Sequence, residues 1–218
     1  MLCIYLMESI INTCQPFSCL SVARLRNNIQ SVFNAHIKKI EGDIVEIGIY
    51  KGGSMLAMMM ADEIIGSQDR HFHLYDTFTG MTAATDVDKD YTGCDASWQM
   101  EVNYDVRCIA SLMEVQQNIS SNTNISRDRI HYHIGDICKT HVYPGKIAVL
   151  RLDTDWYEST KFELDHFYDK VVPGGIVIID DYGHWQGCKK AVDEFIEAHP
   201  SIKLSEVDYT GVFFEKPM

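Results

Sequence analysis

Apolar residues recur at helical spacing over residues 18–40 (Leu20, Val22, Leu25, Ile29, Val32, Phe33, Ile37, Ile40), so the pattern predicts a helix leading into the first strand. The short run Ile44–Gly48 reads as that strand, and the Met- and Ala-rich segment Ser54–Ile65 as a helix. Phe72–Tyr75 predicts a second strand, closed by Asp76. The polar stretch from Thr79 to Trp98 exceeds an ordinary loop, and such loops are often lids or binding segments. Tyr104–Ile119 predicts a helix, and Ile130–Ile134 a third strand running into Gly135-Asp136. Ile147–Leu152 predicts a fourth strand and Ser159–Lys170 a helix. Pro173-Gly174-Gly175 predicts a sharp turn into a fifth strand, Ile176–Ile179, and Cys188–Ala198 a helix stopped by Pro200. Two last runs, Ile202–Val207 and Val212–Glu215, flank Asp208-Tyr209-Thr210-Gly211 and predict a terminal hairpin.

Strands alternating with helices predict a doubly wound, mostly parallel α/β sheet with helices on both faces. The closing antiparallel hairpin brings the count to seven strands and sets the plan apart from an ordinary dinucleotide-binding half. A chain of 218 residues fits one domain with a full-sized core. We divide it into a helical lead-in, residues 1–41, and a main domain, residues 42–218. The balance of 19 basic and 31 acidic residues gives a net charge of −12, which disfavours nucleic acid and anionic membranes as partners. The seven cysteines show no C-x-x-C pair, an argument for free thiols in a reducing, cytoplasmic setting. Glu8, Asn12, Gln15 and Pro16 interrupt the apolar start, so neither a signal peptide nor a membrane span is expected.

The chemistry concentrates where two apolar runs end. Val149–Thr160 carries Asp153 and Asp155, and Gly174–Tyr182 carries Asp180 and Asp181. Ligands of open α/β sheets bind outside the carboxyl ends of the strands, where these acids would converge. Such a cluster is costly unless a cation neutralises it, and oxygen-only ligands suit Mg²⁺, which keeps places for substrate oxygens. Isolated turn caps are the plainer alternative.

Glu46-Ile-Gly48-Ile-Tyr-Lys-Gly52-Gly53-Ser54 spans a strand-to-helix turn. Its glycines allow close backbone approach to a ligand, and the helix start offers free N–H groups. The spacing is not G-x-G-x-x-G, and Glu46 would repel a diphosphate but attract an ammonium or sulfonium group. A purely structural turn is the alternative. Asp76 could accept both hydroxyls of a ribose, or cap the turn Thr77–Gly80. Asp136 is a candidate for the adenine end of the same ligand. His71-Phe-His73 and His131-Tyr-His133 lie at the opposite strand ends and read as surface or packed histidines more readily than as metal ligands. His184 is better placed, as a supporting group or an alternative base. Trp98, Trp156, Tyr157, Tyr182 and Trp185 fall near the expected mouth, and the Met-rich helix reads as adaptable core.

Together, Val45-Glu46-Ile-Gly48 with Gly52-Gly53-Ser54, Tyr75-Asp76-Thr77-Phe78-Thr-Gly80-Met81, Leu152-Asp153-Thr-Asp155-Trp-Tyr157-Glu158-Ser159-Thr160 and Pro173-Gly174-Gly175 with Asp180-Asp181-Tyr182 resemble the TylF family. These are macrocin-type O-methyltransferases acting on sugars of macrolides and aminocoumarins. The resemblance runs from about Gly42 to Phe195. It implies a class I methyltransferase with a Rossmann-like fold, and a Mg²⁺- and S-adenosylmethionine-dependent enzyme that methylates a sugar hydroxyl. Carried over by position, Asp153, Asp180 and Asp181 would hold the metal and Asp155 would be the general base. Glu46, Gly48, Ser54 and Asp76 would hold the cofactor; Gly52, Asp136 and Asp153 join them from the residue reading. Two departures bear on the acceptor, Thr154 in place of a frequent glycine and a shorter N-terminal region. The expected partner is therefore a sugar-containing small molecule, and the family allows a homo-oligomer. A catechol-like phenol acceptor and a non-catalytic module binding S-adenosylmethionine are the rival readings.

Overall fold

The computed structural model describes residues 2–67, 69–140 and 145–218. Five parallel strands follow from the apolar runs: β1 (Asp43–Ile47), β2 (Phe72–Asp76), β3 (Ile130–Ile134), β4 (Ile147–Leu152) and β5 (Val171–Ile179). β6 (Ser205–Glu206) and β7 (Val212–Glu215) close the sheet, with β7 antiparallel to both neighbours. The spatial order is β3-β2-β1-β4-β5-β7-β6. The strand order reverses between the parallel neighbours β1 and β4, which opens a crevice at their carboxyl ends.

Seven α-helices are described: α1 (Leu2–Cys14), α2 (Val22–Ile37), α3 (Gly53–Ile65), α4 (Ala96–Val102), α5 (Leu112–Asn122), α6 (Tyr157–Phe167) and α7 (Gln186–Ala198). On one face of the sheet Ile10 of α1, Leu25 and Ile29 of α2, the methionines of α3 and Val115 of α5 pack on Ile44, Leu74 and Ile178. On the other, Leu164 of α6 and Val192 of α7 pack on Val45, Leu150 and Val177. The alternation of neighbouring strand residues between the two clusters is the period-two pattern of a sheet buried on both sides. The lead-in helices share one core with the main domain. No helix among the described residues is long and apolar enough to cross a membrane.

Four elements differ from expectation, each for a local reason. The start is a helix: Ile10, Ile11 and Cys14 bury one stripe against α3, while the polar residues that interrupt the run stay outside it. The expected helix 104–119 is broken. A 3₁₀ turn, Tyr104–Arg107, ends at Cys108 in a left-handed conformation (φ 45°), and α5 starts afresh. The Ser111 side chain caps it by accepting from the Glu114 N–H at 3.2 Å, a serine-to-glutamate spacing visible in the sequence. Pro173-Gly174-Gly175 lies inside β5, where the register against β4 shifts, and is not a turn. The first hairpin strand shrinks to Ser205–Glu206 because the preceding residues leave the sheet.

Candidate active site

A cavity of about 290 Å³ lies over the carboxyl ends of the central strands. Gly48 after β1, Ser54 of α3, Asp76 at the end of β2 and Asp136 after β3 line it on one side. Asp153 and Asp155 after β4, Asp180 and Asp181 after β5, and His184 line it on the other. Glu46 and Gly52, also expected at the ligand, are not among its walls. Glu46 is wholly buried beneath it, and Gly52 caps α3 with φ 89° against Val115.

The glycine turn owes its composition to chain crossings. A Cβ on Gly48 (φ 86°) would lie 2.0 Å from the Asp153 carbonyl oxygen, so only glycine lets β1 leave the sheet beside β4. A Cβ on Gly53 would meet the Phe17 carbonyl at 2.7 Å. The turn after α1 therefore rests on the start of α3, which brings Phe17–Leu20 into the cavity wall. Asp76 is also a structural hub. Its Oδ2 accepts from the N–H groups of Ile49 (2.6 Å) and Tyr50 (3.2 Å), and its Oδ1 from Phe78 N–H (2.7 Å). With about four acceptor positions per carboxylate, a ligand hydroxyl has little capacity left to share. Asp136 caps its turn through Cys138 N–H (3.0 Å) and pairs with Lys139 (2.9 Å).

Beneath the acids runs a buried ion network that begins with a register pair. Glu46 of β1 stands beside Arg151 of β4, both on the α2–α3 face. Arg151 donates to Glu46 Oε1 (2.7 Å), Asp153 Oδ2 (2.7 Å) and Asp180 Oδ1 (2.5 Å). Arg24 of α2 reaches the other oxygen of Asp180 and lies 3.2 Å from Asp208. Burial opposes the Arg151 charge, but Asp153, Asp180 and Glu46 hold its pKa well above the usual value. Burial pushes Glu46 up to about 7 against the pull of Arg151. Neither arginine stood out in the sequence, although a lone arginine inside the apolar run of β4 was the visible sign of Arg151.

The acids group unevenly. Ligand oxygens of Asp153, Asp155 and Asp181 lie within 4.8 Å of one another. Asp180 is held instead by the two arginines, keeping two lone-pair positions beyond them. One Asp181 oxygen, Oδ2, is buried without a hydrogen-bond partner. Burial and then the Asp155 charge push Asp181 well above the carboxylate range; burial and Asp153 push Asp155 up to about 7. Buried beside each other, the Asp155 and Asp181 carboxylates raise each other's affinity for a proton, so without a cation the pair favours holding a shared proton. All-oxygen donors, a shared proton and an orphaned oxygen suit a hard divalent cation, so the residues fit Mg²⁺.

Backbone strain marks the same place. Tyr50, Cys108 and Asp155 line the cavity with positive φ (50°, 45° and 69°), a conformation costly for residues with a Cβ. The five aromatics read near the mouth divide between lining and structural roles. Of the five aromatics expected there, only Trp185 lines the cavity. Trp156 is buried, Tyr157 and Tyr182 are turned to Glu194 and Asp193, and Trp98 stands exposed outside. Tyr209 takes their place, with its hydroxyl 3.3 Å from His184 Nδ1, and Tyr91 packs beside both rings. All six cysteines whose side chains are described are free.

These shifts have a thermodynamic sign. Asp155 rises from 3.8 to about 7, so between those values the folded chain binds more protons than the unfolded one. The associated stability is full below about pH 4 and lost as pH climbs through about 7. In EDTA, Asp155→Asn is therefore expected to raise Tm near pH 8 and leave it unchanged near pH 4. An equal Tm difference at both ends would show that Asp155 does not carry the effect.

A sheet of this order, with its cavity at the switch point and an acid cluster facing the ligand space, defines a class I methyltransferase. Residues 15–216 match the family described as Macrocin-O-methyltransferase (TylF). The mycinamicin III 3''-O-methyltransferase of Micromonospora griseorubida is 31% identical over 202 residues, covering 90% of this chain and 77% of that protein. An 8-demethyl-8-(2,3-dimethoxy-alpha-L-rhamnosyl)-tetracenomycin-C 4'-O-methyltransferase of Streptomyces olivaceus is 32% identical over 178 residues, covering 80% and 66%. The solved O-methyltransferase NovP superposes with a TM-score of 0.81 at 28% identity, covering 93% of this chain and 83% of that one. The chain belongs to the TylF macrocin O-methyltransferase family. It is an S-adenosylmethionine-dependent O-methyltransferase.

Proposed function

We propose that this enzyme methylates a hydroxyl on the sugar of a small-molecule glycoside, with Mg²⁺ held among Asp153, Asp180 and Asp181 and with Asp155 as the base. The observation that carries the metal is the orphaned, buried Asp181 oxygen grouped with oxygens of Asp153 and Asp155; Asp180 would join as a ligand through the lone pairs its two arginines leave. The sugar rests on kinship with a protein named for methylating a rhamnosyl compound. When bound, S-adenosylmethionine supplies an electrophilic sulfonium methyl, and Mg²⁺ supplies a Lewis-acidic anchor for hydroxyl oxygens.

The chain's own residues do the rest. Gly48, Ser54, Asp76 and Asp136 wall the side of the cavity given to the cofactor. Arg151 and Arg24 hold Asp180 in place, and Arg151 holds Asp153, so two of the proposed ligands are positioned before anything binds. Asp155 accepts the hydroxyl proton as the oxygen gains its bond to carbon. Tyr209, His184 and Trp185 line the acceptor side.

S-adenosylhomocysteine release, measured over rhamnosyl glycosides, other sugars and catechols, tests this reading. Transfer to glycosides that stops in EDTA and returns with Mg²⁺ is expected. Chelator-insensitive transfer removes the metal. Transfer to catechols alone replaces the sugar with a phenol, and cofactor binding with no transfer to any acceptor leaves a binding module.

A further inference from the structure

Thr154 stands between Asp153 and Asp155, at the position where a glycine is frequent in the family, and it lines the cavity. Its hydroxyl is not free. Thr154 Oγ1 lies 2.7 Å from Glu163 Oε1 and 2.8 Å from Ser159 Oγ, both on α6. Glu163 is wholly buried, is not among the cavity walls, and has one oxygen, Oε2, without a hydrogen-bond partner. Burial, with Asp153 and Asp155 adding to it, pushes Glu163 well above the carboxylate range, so the group is uncharged. An uncharged acid with an orphaned oxygen contributes less to stability than an apolar side chain filling the same space. Stability therefore does not explain its presence.

The segment it touches carries strain. Asp155 has φ 69°, and such a conformation persists only where the surroundings fix it. Asp153 has anchors of its own: Arg151 donates to its carboxylate, and its N–H donates to the Ile47 carbonyl at 2.8 Å. Asp155 instead follows directly on Thr154. The Thr154 carbonyl accepts from Trp156 N–H at 2.8 Å, across Asp155, and the Thr154 hydroxyl is held by α6.

We propose that Glu163 is a positioning residue for methyl transfer: through the Thr154 hydroxyl it fixes the turn that aims Asp155 at the acceptor. The proposal rests on Asp155 as the base. Glu163 touches neither cofactor nor acceptor, and its effect is geometric. A misplacement of about 1 Å at a reacting group can cost about 10²-fold in rate.

Glu163→Met fills the same space and removes the polar contact. With saturating S-adenosylmethionine and a rhamnosyl glycoside, it is expected to lower kcat by about 10–100-fold. Calorimetric affinity for S-adenosylhomocysteine should stay unchanged, because the cofactor wall is built elsewhere. Glu163→Gln keeps a polar group at the same reach and should recover most of the lost turnover. Thr154→Val breaks the contact from its other side at nearly constant shape, and carries the test if Glu163→Met does not fold. The two changes together should lose no more than either alone, since both remove one contact. In an Asp155→Asn background Glu163→Met should cost no further turnover.

kcat of Glu163→Met and Thr154→Val within about threefold of the natural enzyme would overturn the role of Glu163. So would losses that multiply in the double variant, a Glu163→Gln as slow as Glu163→Met, a further loss in the Asp155→Asn background, or cofactor-product affinity falling in step with kcat. In each of these cases Asp155→Asn is still impaired. Full turnover of Asp155→Asn, or no methyl transfer by the natural chain, would instead remove the base reading and the role of Glu163 with it.

Discussion

Asp155→Asn is expected to lower turnover by about 10²–10⁴-fold, the usual worth of a positioned general base. It should leave S-adenosylhomocysteine affinity nearly unchanged. The substitution is chosen for its backbone. Asp155 sits at φ 69°, where asparagine is among the few side chains that fit readily, whereas alanine would add strain to the loss of charge. Asparagine also keeps the size and a polar group beside Asp153 and Asp181, the carboxylates grouped with Asp155. What disappears is the basic oxygen. Its pKa, pushed up to about 7 by burial and by Asp153, lies near the value at which a base is both deprotonated and able to pull a proton. Single-turnover formation of S-adenosylhomocysteine, with calorimetric binding of that product, separates the two roles. Turnover within about threefold of the natural enzyme would take the proton transfer away from Asp155. Binding lost in step with turnover would make it a structural residue.

The strand ends were readable because two simple periodicities announce them. Apolar runs mark buried strands, and a carboxylate that stops such a run must face the crevice or solvent. Asp76, Asp136, Asp153, Asp155, Asp180 and Asp181 all reach the one cavity for that reason. Two of the expected ligand residues behave otherwise. Glu46 is in the middle of the β1 pairing, not at its end, and its partner across the register is Arg151; a strand residue aligned with a neighbouring strand stays in the sheet. Gly52 is consumed by the helix start. Arg24 was not legible at all, since it meets Asp180 across 156 positions of sequence, and only tertiary packing of α2 on the sheet creates that contact. The polar stretch before α4 hid a similar device. Buried Asp88 accepts from Thr85 N–H and Tyr157 N–H, both at 2.8 Å, so a loop that reads as free is tied to the start of α6. The stacked rings of His71, His73, His131 and His133 show the reverse case. Their spacing was plain, but whether four rings share one face depends on the β2–β3 register, which no single strand encodes.

Arg151→Met is expected to destabilise the fold by about 3–5 kcal/mol, because removing one partner of a buried pair leaves uncompensated charge. The arginine and Glu46 are each fully buried, and Asp180 is nearly so. Methionine keeps most of the volume and supplies no donor, so the loss is electrostatic and not a cavity. Glu46, Asp153 and Asp180 would then face one another with only Arg24 to answer Asp180. The penalty has a pH sign. Burial already lifts Glu46 from 4.5 to about 7, and without Arg151 the carboxyl climbs further. The folded variant then binds protons that the unfolded chain has released, so its deficit against the natural protein is small near pH 4 and grows toward pH 8. Urea unfolding at both values measures the slope. Adding Glu46→Gln to Arg151→Met should recover part of the loss, since a neutral amide no longer needs the guanidinium; the two changes are coupled through one contact and will not add. A single variant within about 1 kcal/mol of the natural protein, the worth of an exposed pair, would mean that water already reaches this network and that Arg151 does not hold Asp153 and Asp180 for the metal.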